Sequence, residues 1–289
     1  MLSLRDPLAR HTHYCSETWR VLAPHALVHR DDEALPDAPP SRDTLIVRKG
    51  QADAFELAFC DVTATIDASY AQVNYELRPR GVPIFPDAYY KARLFLPILR
   101  MIRGGIALHA SAIERNGRAT LFLAPSGVGK STCAAAVLAF TPDSRMISDD
   151  TVVVSRVNDT FFVLPASKSF AMRHDLLSIY NDVFEREEGL SAVKSFLRVK
   201  ASRVEEAAVP VERMVFLYRG ASGALERQDA FSLMAKYFAQ QFTLTHAPDA
   251  FKRVQFADAS ALLNAVSCFS LAIDFSTIDG MRRAVSSLL

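Results

Sequence analysis

Cysteine is scarce in this chain, and so are the patterns that cysteine forms. The four cysteines are Cys15, Cys60, Cys133 and Cys268. They lie far apart and include no C-x-x-C pair, so a zinc site and a disulfide framework are both disfavoured. At 289 residues with 50% apolar composition, the chain is long enough to bury a sizeable core without such cross-links.

An excess of charge and a long apolar run are also missing. Lys and Arg number 33 against 32 Asp and Glu, a formal net charge of +1, so no general attraction to nucleic acid or to an anionic membrane is expected. No apolar run approaches the roughly 18 residues of a membrane helix. The start, Met1–Asp6, lacks the basic-then-apolar order of a secretory signal. We therefore expect neither nucleic acid nor membrane as a partner, and a cytoplasmic location.

The first hundred residues show strand patterns. Four segments alternate in polarity or are rich in β-branched and aromatic residues, which predicts a small antiparallel sheet over Thr44–Arg48, Ala54–Cys60, Val62–Ile66 and Ala71–Leu77. The spacing of apolar residues over 86–103 predicts a helix that leads into the next part of the chain. We predict an N-terminal β-rich module over residues 1–103 and a second domain over 104–289.

The run LFLAPSGVGKST, Leu121–Thr132, is the most informative segment of the chain. It places a Gly-Lys-Ser loop between an apolar strand and an Ala-rich helix. Gly127 and Gly129 let backbone N–H groups turn inward around phosphate oxygens, Lys130 can neutralise the β- and γ-phosphates, and Ser131 can ligate Mg²⁺. The positive N-terminal end of the helix favours the same anion.

This loop predicts a binding site for nucleotide phosphates. One position departs from the pattern G-x-x-x-x-G-K-[ST], because Ala124 stands where the first glycine is usual. An incidental Gly-rich turn is the alternative interpretation. The residues predicted to contact the nucleotide are Ser126, Gly127, Val128, Gly129, Lys130, Ser131 and Thr132.

The segments around the loop predict a mixed sheet. Two apolar strands, Ile106–Ile113 and Arg118–Ala124, are joined by Asn116-Gly117 and so predict a hairpin. After the loop we expect a helix from Ser131 to about Phe140, a strand over Arg145–Val154, and a strand over Phe161–Leu164 that pairs with it. A sheet that combines hairpins with a strand-loop-helix-strand unit is mixed, not all-parallel.

The remaining third of the chain is less regular. Two helices are expected within 174–199, on either side of the acidic run Glu185–Glu188, which is most simply a solvated face or loop. Further strands are expected over Val209–Tyr218 and Phe269–Phe275. Helices are expected over Ala230–Phe242, Asp258–Ser267 and Ile278–Leu289.

Three side chains outside the loop are candidates for chemistry. Asp149 and Asp150 come about twenty residues after Lys130, at the end of the strand that returns beside the loop. Neighbouring residues of an extended strand point to opposite sides, so one carboxylate is expected to bind Mg²⁺ and the other to accept the proton of an incoming hydroxyl. His109 lies on the strand before the loop, where its imidazole could bond to Asp149; a buried core histidine is the alternative.

These motifs together resemble HPr kinase/phosphorylase and its small HPr-kinase-like relatives. The motifs are Leu-His-Ala-Ser-Ala, the Asn-Gly hairpin, Pro-Ser-Gly-Val-Gly-Lys-Ser-Thr and Ile-Ser-Asp-Asp, all within residues 104–165. The resemblance implies an α/β fold: a mixed-sheet P-loop core of phosphoenolpyruvate carboxykinase/HPr kinase type, here with a small N-terminal β-rich module. It also implies ATP and Mg²⁺ as cofactors and transfer of the γ-phosphoryl group to a hydroxyl, often that of a serine.

The resemblance also implies roles for individual residues. Lys130 would hold the β- and γ-phosphates, Ser131 and Asp150 would hold Mg²⁺, and Asp149 would be the general base with His109 beside it. The glycine-rich segment with which true HPr kinases grip their protein substrate is not found in the sequence, and neither are the additional ligands of carboxykinases. HPr is therefore not the expected substrate, and carboxykinase activity is not expected.

Transfer of a phosphoryl group also needs a cation to stabilise its charge. The sequence offers four candidates, each of which could equally be surface charge: Arg173, Lys200, Arg203 and Arg213.

The leading hypothesis is an ATP-dependent kinase that phosphorylates a hydroxyl of a peptide, protein or small metabolite. The N-terminal sheet would recognise this acceptor, and self-association into a homo-oligomer stays open. A non-catalytic ATP-binding regulatory or assembly module is the alternative. A transport ATPase is disfavoured because the sequence contains no Leu-Ser-Gly-Gly, and a GTPase because it contains no Asn-Lys-x-Asp.

Overall fold

A computed structural model defines the fold over most of residues 105–289 and over separate strands of the N-terminal part. The described residues are 19–22, 44–49, 55–59, 62–66, 73–77, 105–173, 182–190, 194–221, 223–241, 243–244 and 249–289. The helix predicted over 86–103 lies outside them.

The N-terminal strands form an antiparallel sheet, as the sequence predicts. Its strands are β1 (Trp19–Leu22), β2 (Thr44–Lys49), β3 (Phe55–Phe59), β4 (Val62–Ile66) and β5 (Val73–Leu77), which pair in chain order. A sixth strand, β17 (Thr243–Leu244), pairs with β1 in the register Val21↔Leu244. A short segment from beyond residue 103 therefore belongs to this sheet.

A nine-stranded sheet forms the core of the chain beyond residue 104. Its strands are β6 (Ile106–Leu108), β7 (Ala110–Arg115), β8 (Arg118–Leu123), β9 (Arg145–Ser148), β10 (Val152–Val157), β11 (Thr160–Leu164), β15 (Val209–Arg219), β16 (Glu226–Arg227) and β18 (Ser267–Ile273). Their main order is β6-β10-β11-β15-β8-β7-β9, with β18 beside β15 and β16 beside β18. Strands β8, β15 and β18 are parallel to one another, whereas the other pairs are antiparallel. The predicted mixed sheet is thus confirmed.

Helices cover both faces of this sheet. They are α1 (Lys130–Phe140), α2 (Ala230–Phe238), α3 (Asp249–Ala265) and α4 (Ile278–Leu288). Side chains alternate along a strand, so Val215 and Leu217 of β15 pack with α1 and α4, whereas Met214 and Phe216 pack with α2 and α3. Among the helices of the described residues, none is both long and apolar enough to cross a membrane.

The predicted hairpin turn is confirmed. Strands β7 and β8 pair directly across it, with Arg115 opposite Arg118. Asn116 has φ 54° and Gly117 has φ 73°. Positive φ at both central residues is the geometry of a type I′ turn, for which Asn-Gly is the favoured sequence.

The two helices predicted within 174–199 are wrong wherever the structure describes that segment. Strands β12 (Ser169–Arg173), β13 (Phe184–Leu190) and β14 (Lys194–Val199) form a separate antiparallel sheet, followed by a 3₁₀ turn at Ala201–Arg203. Irregularities interrupt the pairing of β13 twice, between Phe184 and Arg186 and between Glu187 and Gly189. Such bulges hide the alternation by which a strand is recognised in sequence.

Two segments predicted as single strands are each divided. The first breaks at His109, between β6 and β7, and the second breaks at Asp149-Asp150, between β9 and β10. β6 pairs with β10, whereas β7 pairs with β9, so the two breaks lie opposite each other. Asp150 has φ 69°, so the aspartates form a turn and not the extended strand from which their opposite orientation was predicted.

Candidate functional site

The candidate residues gather at one edge of the large sheet. The loop of residues 124–129 follows the carboxyl end of β8. Because β7 is antiparallel to β8, with Ala110 opposite Leu123, His109 lies at this same edge. β9 pairs with β7 through Ser148 and Ala112, which brings Asp149 to the same level. In open α/β sheets, ligands bind in the crevice outside the carboxyl ends of parallel strands.

The loop has the backbone of a tight turn that leads into a helix. Gly127 has φ 80° and Gly129 has φ 131°, and α1 begins at the next residue, Lys130. The N–H of Cys133 donates to the Gly129 carbonyl at 2.8 Å and closes the first helical turn. A Cβ at Gly129 would lie 2.9 Å from the Phe275 ring, so both the conformation and the space require glycine here.

The loop is open to solvent where a ligand would approach. Ser126 and Gly127 are exposed, and Val128 and Gly129 are half-buried. Ser131 and Thr132, in the first turn of α1, are half-buried as well. The exposed backbone of the loop therefore lies at the N-terminal end of an eleven-residue helix, with Ser131 in the first turn of that helix.

Lys130 lies folded against its own loop. Its Nζ donates to the Ala124 carbonyl at 2.8 Å and to the Pro125 carbonyl at 3.4 Å, and only 6% of the residue is exposed. A phosphate oxygen would compete with these carbonyls for the N–H donors of the ammonium. A phosphate oxygen is the better acceptor, because a charged acceptor bonds an ammonium more strongly than a neutral carbonyl does.

Asp149 is fully buried. The Ser111 hydroxyl of β7 donates to its Oδ1 at 2.5 Å. Thr151 is also held in the turn, because the Ser148 hydroxyl donates to its carbonyl at 2.7 Å. The carboxylate of Asp149 is thus held by β7, and the turn that carries it is held by the bond between Ser148 and Thr151.

Asp150 is the more accessible carboxylate and lies beside the histidine. Its Oδ1 is 3.5 Å from His109 Nε2, and 32% of its side chain is exposed, against 11% for His109. The backbone of His109 is anchored by its N–H, which donates to the Gln240 carbonyl at 2.7 Å. The sequence prediction joined the imidazole to Asp149, and the structure adds this approach of Asp150 to the same imidazole.

Sequence reasoning missed one residue of this edge. Arg219 ends β15, and its Nη2 donates to the Gly127 carbonyl at 2.7 Å. The two residues are 92 positions apart, so no local pattern indicates the contact. The only signal in the sequence is that a basic residue ends a core strand that could lie beside the loop-bearing strand.

The cations that the sequence did suggest lie elsewhere or are engaged in structural contacts. Arg203 donates to three backbone carbonyls near the end of α1, and Arg213 donates to the Leu288 carbonyl of α4. Lys200 is half-buried after β14. The side chain of Arg173 lies outside the described residues.

The residues present are compatible with Mg²⁺ that arrives with a nucleotide. Ser131 offers a hydroxyl, and the aspartates at 149 and 150 offer carboxylate oxygens, the donor types that Mg²⁺ prefers. Within the part of the chain that the structure describes, no group of three or more His, Cys, Asp and Glu could hold a metal ion by itself. Phosphate oxygens and water would have to complete the coordination, as is usual for Mg²⁺ in phosphoryl-transfer sites.

Comparison with known proteins gives distant structural similarity and no sequence match. No family model matches the chain, and no curated protein matches its sequence. Among solved structures, the Hpr(Ser) kinase/phosphatase from Coxiella burnetii is similar with a TM-score of 0.34 and 9% sequence identity, over 63% of this chain and 93% of that chain. Neither the family nor the activity of this chain follows from a similarity of that size.

Proposed function

We propose that this protein is an ATP-dependent kinase that transfers the γ-phosphoryl group to a hydroxyl, that of a serine in a peptide or protein or that of a small metabolite. One observation carries the proposal: a Gly-Lys-Ser loop that leads into a helix lies at the same sheet edge as a paired histidine and aspartate. Phosphate binding alone would not require a proton acceptor, whereas transfer to a hydroxyl does.

The loop would bind the nucleotide. The backbone N–H groups of residues 126–132 would surround the phosphates, and Lys130 would exchange its loop carbonyls for β- and γ-phosphate oxygens. Mg²⁺, once bound with ATP, would neutralise charge on the phosphates, with Ser131 and one aspartate among its ligands. The N-terminal sheet would recognise the acceptor, and the protein would act in the cytoplasm.

The two aspartates would divide the remaining roles. The resemblance implies that Asp149 is the general base and that Asp150 is a ligand of Mg²⁺. The exposure of the two side chains favours Asp150 as the base, because a base must reach the acceptor hydroxyl. Asp150 is accessible, whereas Asp149 is buried and bonded to Ser111. We therefore assign proton acceptance to Asp150, with His109 orienting it. A metal role for Asp149 beside Ser131 then requires that binding of the nucleotide uncover its buried carboxylate.

Transfer of labelled phosphate from ATP into peptide extracts tests this assignment. Asp150→Asn is expected to bind the Mg²⁺ complex of a non-hydrolysable ATP analogue within a few-fold of wild type and to lose transfer by about 10²-fold or more. Asp149→Asn is expected to lose the Mg²⁺-dependent part of the affinity. The opposite pattern would assign the base to Asp149, and transfer that survives in both variants would overturn the assignment of the base to either aspartate. No transfer by the wild-type protein would overturn the kinase.

The burial of Asp149 also supports a second candidate, an ATP-binding regulatory or assembly module. A carboxylate fixed by Ser111 can stabilise the turn without taking part in a reaction. Tight binding of ATP without transfer to any extract would favour this module. Formation of a homo-oligomer on ATP binding, measured by light scattering, would support it further.

A further inference from the structure

The end of β15 brings a guanidinium to the phosphate loop. β15 runs parallel to β8, with Phe216 opposite Leu123. Three residues further along β15 is Arg219, and four residues beyond Leu123 is Gly127. The two segments leave the sheet at the same edge, and Arg219 Nη2 donates to the Gly127 carbonyl at 2.7 Å.

Arg213 and Arg203, which the sequence suggested for the phosphoryl group, lie farther from the loop than Arg219 does. Arg213 lies on the same strand as Arg219 but six residues earlier, which puts it about 20 Å from that edge. Arg203 bonds to carbonyls near the end of α1, and α1 carries the chain about 16 Å away from the loop. Of these three arginines, Arg219 is therefore the one whose guanidinium lies at the phosphate loop.

The side chain also has the chemistry that a terminal phosphate requires. A guanidinium has five N–H donors in one plane, a geometry that suits phosphate oxygens. The contact with Gly127 uses one of these donors, and Arg219 is exposed, so a ligand above the loop can reach the group.

We propose that Arg219 binds the terminal phosphate of the nucleotide and stabilises its charge during transfer; the proposal rests on the function proposed above. In that step the bond from the γ-phosphorus to the oxygen bridging it to the β-phosphate breaks, and a bond from phosphorus to the acceptor oxygen forms. The hydroxyl proton goes to Asp150. Arg219 donates hydrogen bonds to the equatorial oxygens and exchanges no proton, because a guanidinium stays charged at all physiological pH values.

Calorimetric titration with the Mg²⁺ complexes of ADP and of a non-hydrolysable ATP analogue tests this role. Arg219→Ala is expected to weaken binding of the ATP analogue by about 10- to 100-fold and binding of ADP much less, because ADP lacks the γ-phosphate. Arg219→Lys is expected to recover part of the loss. The matched control is Arg118→Ala, an exposed arginine at the opposite end of β8, which should change neither affinity.

The outcomes separate this role from a structural one. An equal loss of affinity for ADP and the ATP analogue would mean that Arg219 only holds the loop through Gly127. Unchanged affinity for both would mean that Arg219 does not contribute to nucleotide binding. Either result overturns the proposal. Restoration of ATP-analogue binding to Arg219→Ala by low concentrations of free guanidinium would support it. A wild-type protein that binds neither nucleotide would overturn the proposed function itself, and this proposal with it.

Discussion

Gly129 shows most directly how a single residue sets the shape of the loop. Its φ of 131° belongs to a region that L-residues with a side chain rarely adopt. The Phe275 ring lies against it, 2.9 Å from the position of a Cβ. The residue that joins the loop to α1 is therefore restricted both by its backbone and by its neighbour.

Replacement of this glycine should damage both stability and binding. Gly129→Ala is expected to cost about 1–3 kcal/mol of unfolding free energy and to lower affinity for the ATP analogue at least 10-fold, because the loop must shift. The control is Gly117→Ala, whose φ is 73° but whose Cβ would meet nothing within 4 Å. It should destabilise by about 1 kcal/mol and leave binding unchanged. Urea unfolding and calorimetry measure the two effects, and intact binding in Gly129→Ala would contradict the account.

Asp229 gives a residue-scale prediction about pH. It caps the N-terminus of α2, where the Ser232 N–H donates to its Oδ1 at 2.9 Å, and these hydrogen bonds hold the pKa of its carboxyl below the usual value. A carboxyl whose pKa is lower in the folded state stabilises the fold above its unfolded pKa, about 3.9. That contribution is lost as the pH falls through the folded pKa.

The unfolding free energy of Asp229→Ala should therefore differ from that of wild type most at neutral pH. The difference is expected to shrink as the pH falls below about 4. Urea unfolding at a series of pH values between 3 and 7 measures it. A difference that stays constant over this range would show that the charge of Asp229 does not matter.

At the scale of elements, the end of α1 depends on Arg203. Its guanidinium donates to the carbonyls of Leu138, Thr141 and Ser144 at 2.6, 3.0 and 3.1 Å. Helix ends leave carbonyls without intrahelical partners, and a cation there also favours the helix dipole. Burial lowers the pKa of Arg203, but an arginine remains charged at neutral pH.

Removal of this cap should lower the stability of the protein without changing its affinity for the nucleotide. Arg203→Met keeps much of the apolar bulk and is expected to lower the unfolding free energy by about 1–3 kcal/mol. Affinity for the ATP analogue should stay within about two-fold of wild type, since the loop is at the other end of α1. A selective loss of binding in Arg203→Met, without a loss of stability, would instead place Arg203 at the phosphates.

The elements that sequence predicted well are those specified locally. The Asn116-Gly117 turn, the loop before α1 and the alternating strand β15 each carry their signal within a few residues. β13 carries no such signal, because its bulges break the alternation and its glutamates favour a helix in isolation. Its strand conformation comes from pairing with β14, a tertiary effect that overrides local preference.

The breaks at His109 and at Asp149-Asp150 were beyond sequence reasoning for a related reason. Each break occurs where the chain changes its pairing partner, from β10 to β8 and β9 in one case and from β7 to β6 and β11 in the other. Only the complete sheet determines those partners. The candidate site residues were proposed from the sequence and stay a prediction, whereas the approach of Asp150 to His109 and the contact of Arg219 with Gly127 were not proposed.

At the scale of the whole molecule, the site belongs to the mixed sheet. The loop, both aspartates, His109 and Arg219 all come from strands β6–β10 and β15 or the segments that follow them. The N-terminal sheet includes β17, a strand from this later part of the chain that pairs with β1. The N-terminal sheet therefore takes one strand from beyond residue 103, where the sequence predicts the domain boundary.

The central claim is that the loop binds a nucleotide through Lys130, and one measurement tests it most directly. Calorimetric titration of wild type and Lys130→Ala with a non-hydrolysable ATP analogue, with and without Mg²⁺, compares the two proteins under identical conditions. The account predicts Mg²⁺-dependent binding to wild type and a loss of at least 10-fold in Lys130→Ala, whose fold is checked by circular dichroism. Absence of binding to wild type, or equal binding to both proteins, would contradict it.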